Sequence, residues 1–276
     1  TLDAISTLGG AITGGQFAAT SAIGTINVSG DSIDYTLLGS EIDRFDDFRT
    51  DPATATFVLA DTTTVTLGSQ TEVDDFLSDV NAGLVSVAGG TQSVTVTPAV
   101  SGGVDISHTD ANLLAAAAGG TVTATIVDTT TVDQLVTLYD TGETNAYTIT
   151  IDNADATGST ASEFNIINSA TSEPINASAV TALSGSASEI ASLMSAATDV
   201  AQFTGTSFDS VAANGLSITG TTIDVTDLNN AITRTNTVSN NTVLATFASA
   251  QGDITVNAGT ATEFDTLLTL EGQSKV

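Results

Sequence analysis

The chain has 276 residues, of which 41% are hydrophobic and only 13% charged, and its 32 Asp and Glu face just four basic residues, Arg44, Arg49, Arg234 and Lys275, for a formal net charge of −28. This balance excludes a phosphate-tracking nucleic-acid binder, which needs clustered Lys and Arg, and it opposes adsorption to anionic membranes. Cysteine is absent, which excludes disulfides and thiolate metal sites, and no apolar run approaches the ~20 residues that span a bilayer. The regular Val, Ile and Leu separate the chain from acidic disordered sequences, so a folded protein with a Thr-, Ser-, Asn- and Asp-rich exterior is expected. A chain that begins at Thr1 without a visible signal peptide is expected to be processed or to be a piece of something longer.

Residues 1–22 are Gly- and Ala-rich and match the rest of the chain poorly, so they are expected to form a cap or a docking segment. From there a strand, a turn and a short helix alternate. Ile33-Asp34-Tyr35-Thr36-Leu37 and Thr56-Phe57-Val58-Leu59 have the period-2 or β-branched character of strands with one buried face. Gly68-Ser69-Gln70-Thr71-Glu72-Val73 reads as a helix start. A Ser or Thr hydroxyl caps an exposed N–H, and a carboxylate in the first turn faces the positive end of the helix dipole. Val73, Phe76 and Leu77 then fall on one helical face. Ser107-His108-Thr109-Asp110 opens another helix, and Gly119-Gly120 marks a soft boundary.

Beyond it, Val122 to Ile126 and Tyr147 to Ile151 are expected strands, and Gly158 to Phe164 carries the same helix start stretched by one residue. Gly185-Ser186-Ala187-Ser188-Glu189-Ile190 and Gly259-Thr260-Ala261-Thr262-Glu263-Phe264 are near-identical copies. Leu216 to Ile218, after an Asn214-Gly215 turn, and Ile254-Thr255-Val256 are the strands between them. The acidic residues Glu41, Glu72, Asp110, Asp133, Glu163, Glu189, Asp227 and Glu263, taken as first-turn markers, recur on average about every 32 residues. This order predicts a repeat protein, β-rich with short helices of about two to three turns: a β/α solenoid with parallel strands. The alternative is a tandem of small β-sandwich or α+β modules, favoured by the paired strands at 57–67 and 216–225. The expected divisions are 1–22 as cap or docking segment, 23–120 as an irregular repeat region and 121–276 as a regular one.

Chemistry-bearing constellations are sparse. Asp152, Asn153, Asp155 and Thr157 alternate ahead of Gly158, with Glu163 following, in the manner of an EF-hand calcium loop. The closing Glu falls one position short, and an Asp-rich turn leading into a capped helix is the simpler account. Calcium is therefore an optional ligand, and no cofactor is required. Gly30-Asp31-Ser32 with Asp105-Ile106-Ser107-His108 superficially matches a Gly-Asp-Ser esterase, with Ser32 as nucleophile, His108 as base and Asp105 as orienter. The mid-chain histidine and the lack of matching oxyanion blocks argue against it. One His and no Cys disfavour transition metals, and the Gly-rich pieces lack the Lys-Ser/Thr of a nucleotide loop. With ten Phe, three Tyr and no Trp, a sugar-binding cleft is poorly supplied.

Asn176-Ala177-Ser178-Ala179-Val180-Thr181-Ala182-Leu183-Ser184-Gly185-Ser186-Ala187-Ser188-Glu189 and Ile223-Asp224-Val225-Thr226-Asp227-Leu228-Asn229 resemble the degenerate repeats of very large bacterial surface proteins, especially those of marine cyanobacteria. The cysteine-free, Lys-poor, Thr/Ala/Gly/Asp-rich composition is similar to that of S-layer and type I-secreted proteins. The resemblance, clearest over 121–270, implies an extracellular location, a structural or adhesive role and no catalytic residues. The Gly-Gly-x-Gly-x-Asp nonapeptides of many such proteins are missing, which speaks against a calcium-driven β-roll. The expected function is that of a non-enzymatic structural subunit of a surface layer, sheath or filament, self-associating into a homopolymer or lattice. The alternative is an adhesin module with a glycan or protein ligand, possible calcium dependence included.

Overall fold

The structure, a computed structural model, describes residues 2–13, 24–47, 55–60, 63–87, 92–127, 129–138, 145–151, 159–199, 202–204, 207–211, 216–239, 245–247, 253–273 and 275. It divides into two compact units. The first comprises Thr1–Val127 with Tyr139–Tyr147, and the second Asp128–Leu138 with Thr148–Val276.

In the first unit, helix α1 (Leu2–Thr13) is followed by strands β1 (Thr25–Val28) and β2 (Ser32–Asp34) and helix α2 (Tyr35–Asp47). The same order returns as β3 (Thr56–Leu59), β4 (Thr64–Leu67) and α3 (Gln70–Asn81), and again as β5 (Val85–Val87), β6 (Gln92–Val96) and α4 (His108–Ala118). Strands β7 (Gly119–Thr125) and β8 (Ala146–Thr148) complete it. The two strands of each pair belong to different sheets, ordered β1-β3-β5 and β2-β4-β6-β7-β8. Registered pairs stack like residues: Ile26 on Phe57, Val28 on Leu59, Ile33 on Val65, Val65 on Val94 and Leu67 on Val96. These apolar residues alternate with exposed or half-buried ones, mostly Thr, Ser and Asn with Asp34 and Val58, so each strand buries one side.

The second unit contains α5 (Val132–Leu135), α6 (Ala161–Ser169), β9 (Leu183–Gly185) and α7 (Ala187–Asp199). Then come β10 (Leu216–Ile218), β11 (Thr222–Asp224), α8 (Val225–Ser239), β12 (Ala245–Phe247), β13 (Thr255–Asn257) and α9 (Ala261–Gly272). Its sheets run β12-β10-β9 and β11-β13. Phe208 sits at a positive φ of 64° with its ring fully buried between Phe164 and Phe203 (centroids 5.6 and 5.0 Å away). That conformation is costly for a bulky residue, and the aromatic packing around it holds it in place.

The fold is α/β and corrects the β-rich solenoid expected from the sequence. Among the described residues 46% are helical, and nine helices alternate with parallel strands in several parallel sheets, a Rossmann-like alternation. Helices α2, α7 and α8 run to 13, 13 and 15 residues, beyond the two to three turns expected. The strands shorten correspondingly, most to three or four residues. The segment 33–37 shows why. Alternation suits a strand, but Asp34 accepts a hydrogen bond from the Thr36 N–H at 2.9 Å, and Tyr35, Leu38, Ile42 and Phe45 are all buried at helical spacing. The longer helical face outweighs the shorter alternating one, so the strand stops at Asp34. The alternative of tandem small β-sandwich or α+β modules falls too, because helices alternate with strands, the registered strand pairs among the described residues are parallel, and β3 and β4 lie in different sheets.

The helix starts follow the capping chemistry in the sequence. Ser69, Ser107, Thr131, Thr160, Ser186 and Thr260 each accept from the N–H three residues on, at 3.1–3.3 Å. Glu163, Glu189 and Glu263 reach back to the cap N–H at 2.6, 2.9 and 2.9 Å. Glu41 is the exception. It lies within α2, buried, and pairs with Arg44 at 3.1 Å, because Asp34 begins that helix earlier than the marker implied.

Two substitutions at α6 separate capping from packing. Thr160→Ala is expected to cost about 1 kcal/mol and Phe164→Ala about 3–5 kcal/mol in urea unfolding. Ser162→Ala, one turn position away from both roles, is expected to change stability by less than about 0.5 kcal/mol.

Candidate functional site

A groove rich in titratable side chains lies between α2 and α3 of the first unit. Asp34 ends β2 and starts α2, which turns Tyr35 inward, edge-on to Phe76 (5.6 Å, 89°). The Tyr35 hydroxyl donates to the Asp79 carboxylate near the end of α3. One residue on, Thr36 donates from Oγ1 to Glu72 Oε1 at 2.8 Å, while the other Glu72 oxygen accepts from the Gly68 N–H at 2.6 Å. Glu72 thus ties the start of its own helix to the start of the preceding one. Around these bonds lies an open space of about 400 Å³, lined by Ser40 and Asp43 from α2 and by Asp75, Ser78 and Asp79 from α3, with no basic side chain in the wall.

Burial is the main cause that pushes the Tyr35 hydroxyl well above the ordinary tyrosine range, followed by its bond to Asp79 and then the charges of Asp79, Asp75 and Asp43. A phenol held protonated this firmly is neither a base nor a nucleophile near neutral pH. Tyr147, fully buried, donates to the Ala111 carbonyl at 3.2 Å, and burial alone raises it. The groove is therefore an acidic surface in which the Tyr35 and Thr36 hydroxyls are both committed to carboxylates.

An equivalent place exists between α8 and α9. Ile223-Asp224-Val225-Thr226-Asp227-Leu228 parallels Ile33-Asp34-Tyr35-Thr36-Leu37-Leu38. Asp224 accepts from the Thr226 N–H at 2.8 Å, and Thr226 donates to Glu263 at 3.2 Å, repeating the Thr36–Glu72 bond. Here Val225 stands at the position of Tyr35 and Leu270 at that of Asp79, and both are buried. The surrounding walls include Asn229, Asp265, Thr266, Thr269 and Lys275, so the strong acidity of the first groove is not shared. The layer folds with an apolar residue at both places, so the Tyr35–Asp79 pair is not a requirement of the motif.

The calcium candidates Asp152, Asn153, Asp155 and Thr157 lie outside the described residues. Glu163 is described, and its Oε2 accepts from both the N–H and the hydroxyl of Thr160, at 2.6 and 2.9 Å, as a helix cap. Among the described residues no group of three or more His, Cys, Asp and Glu is placed to hold a metal ion. The esterase-like residues take different partners. Ser32 meets Thr66 Oγ1 at 3.4 Å, Asp105 accepts from the Ala99 N–H at 3.0 Å, and His108 meets Thr109 Oγ1 at 3.4 Å. In doubly wound sheets ligands collect where the strand order reverses; the sheets here run in steadily rising or falling order and contain no such reversal among the described strands. No described helix is long and apolar enough to cross a membrane.

Sequence reasoning missed the Tyr35–Asp79 and Thr36–Glu72 bonds. The available signal was the match of residues 33–38 to 223–228, which marks Tyr35 as the polar departure from a valine. No protein family, curated protein or solved structure matches this chain.

The two buried tyrosines yield a spectroscopic prediction. At pH 11 the folded protein is expected to keep Tyr35 and Tyr147 un-ionised by absorbance at 295 nm, with Tyr35→Phe and Tyr147→Phe each removing one resistant group. Their folded-state values are raised, so the unfolded chain loses these protons first. Their contribution to stability is complete below the ordinary tyrosine value of about 10 and is lost as pH climbs beyond it. A double-mutant cycle tests whether the polar pair is dispensable. Asp79→Leu alone is expected to cost about 1–3 kcal/mol by stranding the phenol, whereas Tyr35→Phe with Asp79→Leu restores stability to within about 1 kcal/mol of the parent.

Proposed function

We propose that this chain is a non-enzymatic extracellular structural protein, a subunit of a surface layer, sheath or filament that associates with copies of itself. The observation that carries the reading is the face of α9. In α3, α6 and α7 the apolar positions that follow the capping glutamate are fully buried: Val73 and Phe76, Phe164 and Ile167, Ile190 with Leu193 and Met194. In α9 the first of these positions, Phe264, is 54% exposed, and Leu268, at the place of the buried Met194 of α7, is 49% exposed, while Leu267 is half-buried. Phe264 and Leu268, two large apolar side chains one turn apart on the same helix, form a surface suited to burial against another molecule. Residues 24–47 and 216–239 build nearly the same layer, one in each unit, and each pairs through its strands with the layer that follows it in the chain.

Composition supports the same role. A Lys-poor surface with a net charge of −28 keeps copies apart at low salt, and screening lets them approach. An extracellular setting is consistent with the lack of cysteine and with the resemblance to secreted surface proteins.

Sedimentation velocity at low salt and at about 1 M NaCl, where the Debye length falls to about 3 Å, tests the proposal. The chain is expected to be dispersed at low salt and to associate at high salt, and Phe264→Ser with Leu268→Ser is expected to abolish association while leaving thermal unfolding of the dispersed protein within about 1 kcal/mol of the parent. A chain that stays monomeric at every salt concentration, or a variant that associates as strongly as the parent, would refute it. Immunogold labelling of thin sections of source cells tests the location: label confined to the cell interior would remove the extracellular assignment.

A further inference from the structure

We draw no further inference here: the strongest candidate, the acidic groove between α2 and α3 in the first unit, is a cluster of carboxylates whose one buried hydroxyl, that of Tyr35, is already bonded to Asp79, so nothing in the structure shows what it would hold.

Discussion

Parallel pairing of short strands is the constraint from which the rest of this structure follows. A parallel partner cannot be reached through a tight hairpin, so the chain must travel back across the sheet before it can add the next strand. Here the return is made by a helix, and the helix must cover the apolar side that the strands leave open. The packing therefore needs a strand residue such as Phe57 facing inward and a helix residue such as Phe45 to meet it, ring centroids 5.6 Å apart and both almost fully buried. A helix that starts afresh in every layer also exposes four unsatisfied N–H groups each time. The recurring Ser or Thr with Glu three residues on answers that need.

The bonds between layers obey the same economy. Thr36 to Glu72 and Thr226 to Glu263 join consecutive helix starts in the two units with the same donor and acceptor types. Because the glutamate is already held by its own cap, the added bond requires little further ordering of its side chain. The Tyr35–Asp79 pair departs from this scheme. It places a phenol and a carboxylate where the other unit has Val225 and Leu270, in a groove whose remaining charges are all negative. Buried polar pairs of this kind contribute little to net stability compared with apolar replacements, and their observable effect is on titration.

Acidity bears on association in the same physical terms. A net charge of −28 opposes contact between copies over a distance set by ionic strength, while the exposed Phe264 and Leu268 favour contact only at short range. The two effects act on different length scales, which is why ionic strength is the variable that tests the proposed association.

The local chemistry was legible in the sequence. The caps at Ser69, Thr160, Ser186 and Thr260 and the inward positions Val73, Phe76, Phe164 and Ile190 each rest on residues close together in the chain, where spacing alone sets geometry. The helix content was not, because Tyr35-Thr36-Leu37 satisfies alternation and helical spacing equally until Leu38, Ile42 and Phe45 decide the matter. The partition of neighbouring strands such as β3 and β4 into separate sheets, the encounter of Tyr35 with Asp79 across 44 residues, and the exposure of Phe264 where Phe164 is buried were decided only by tertiary structure. Identical local patterns acquire different burial according to which layer lies beside them, and that neighbour is supplied by residues far away in the chain.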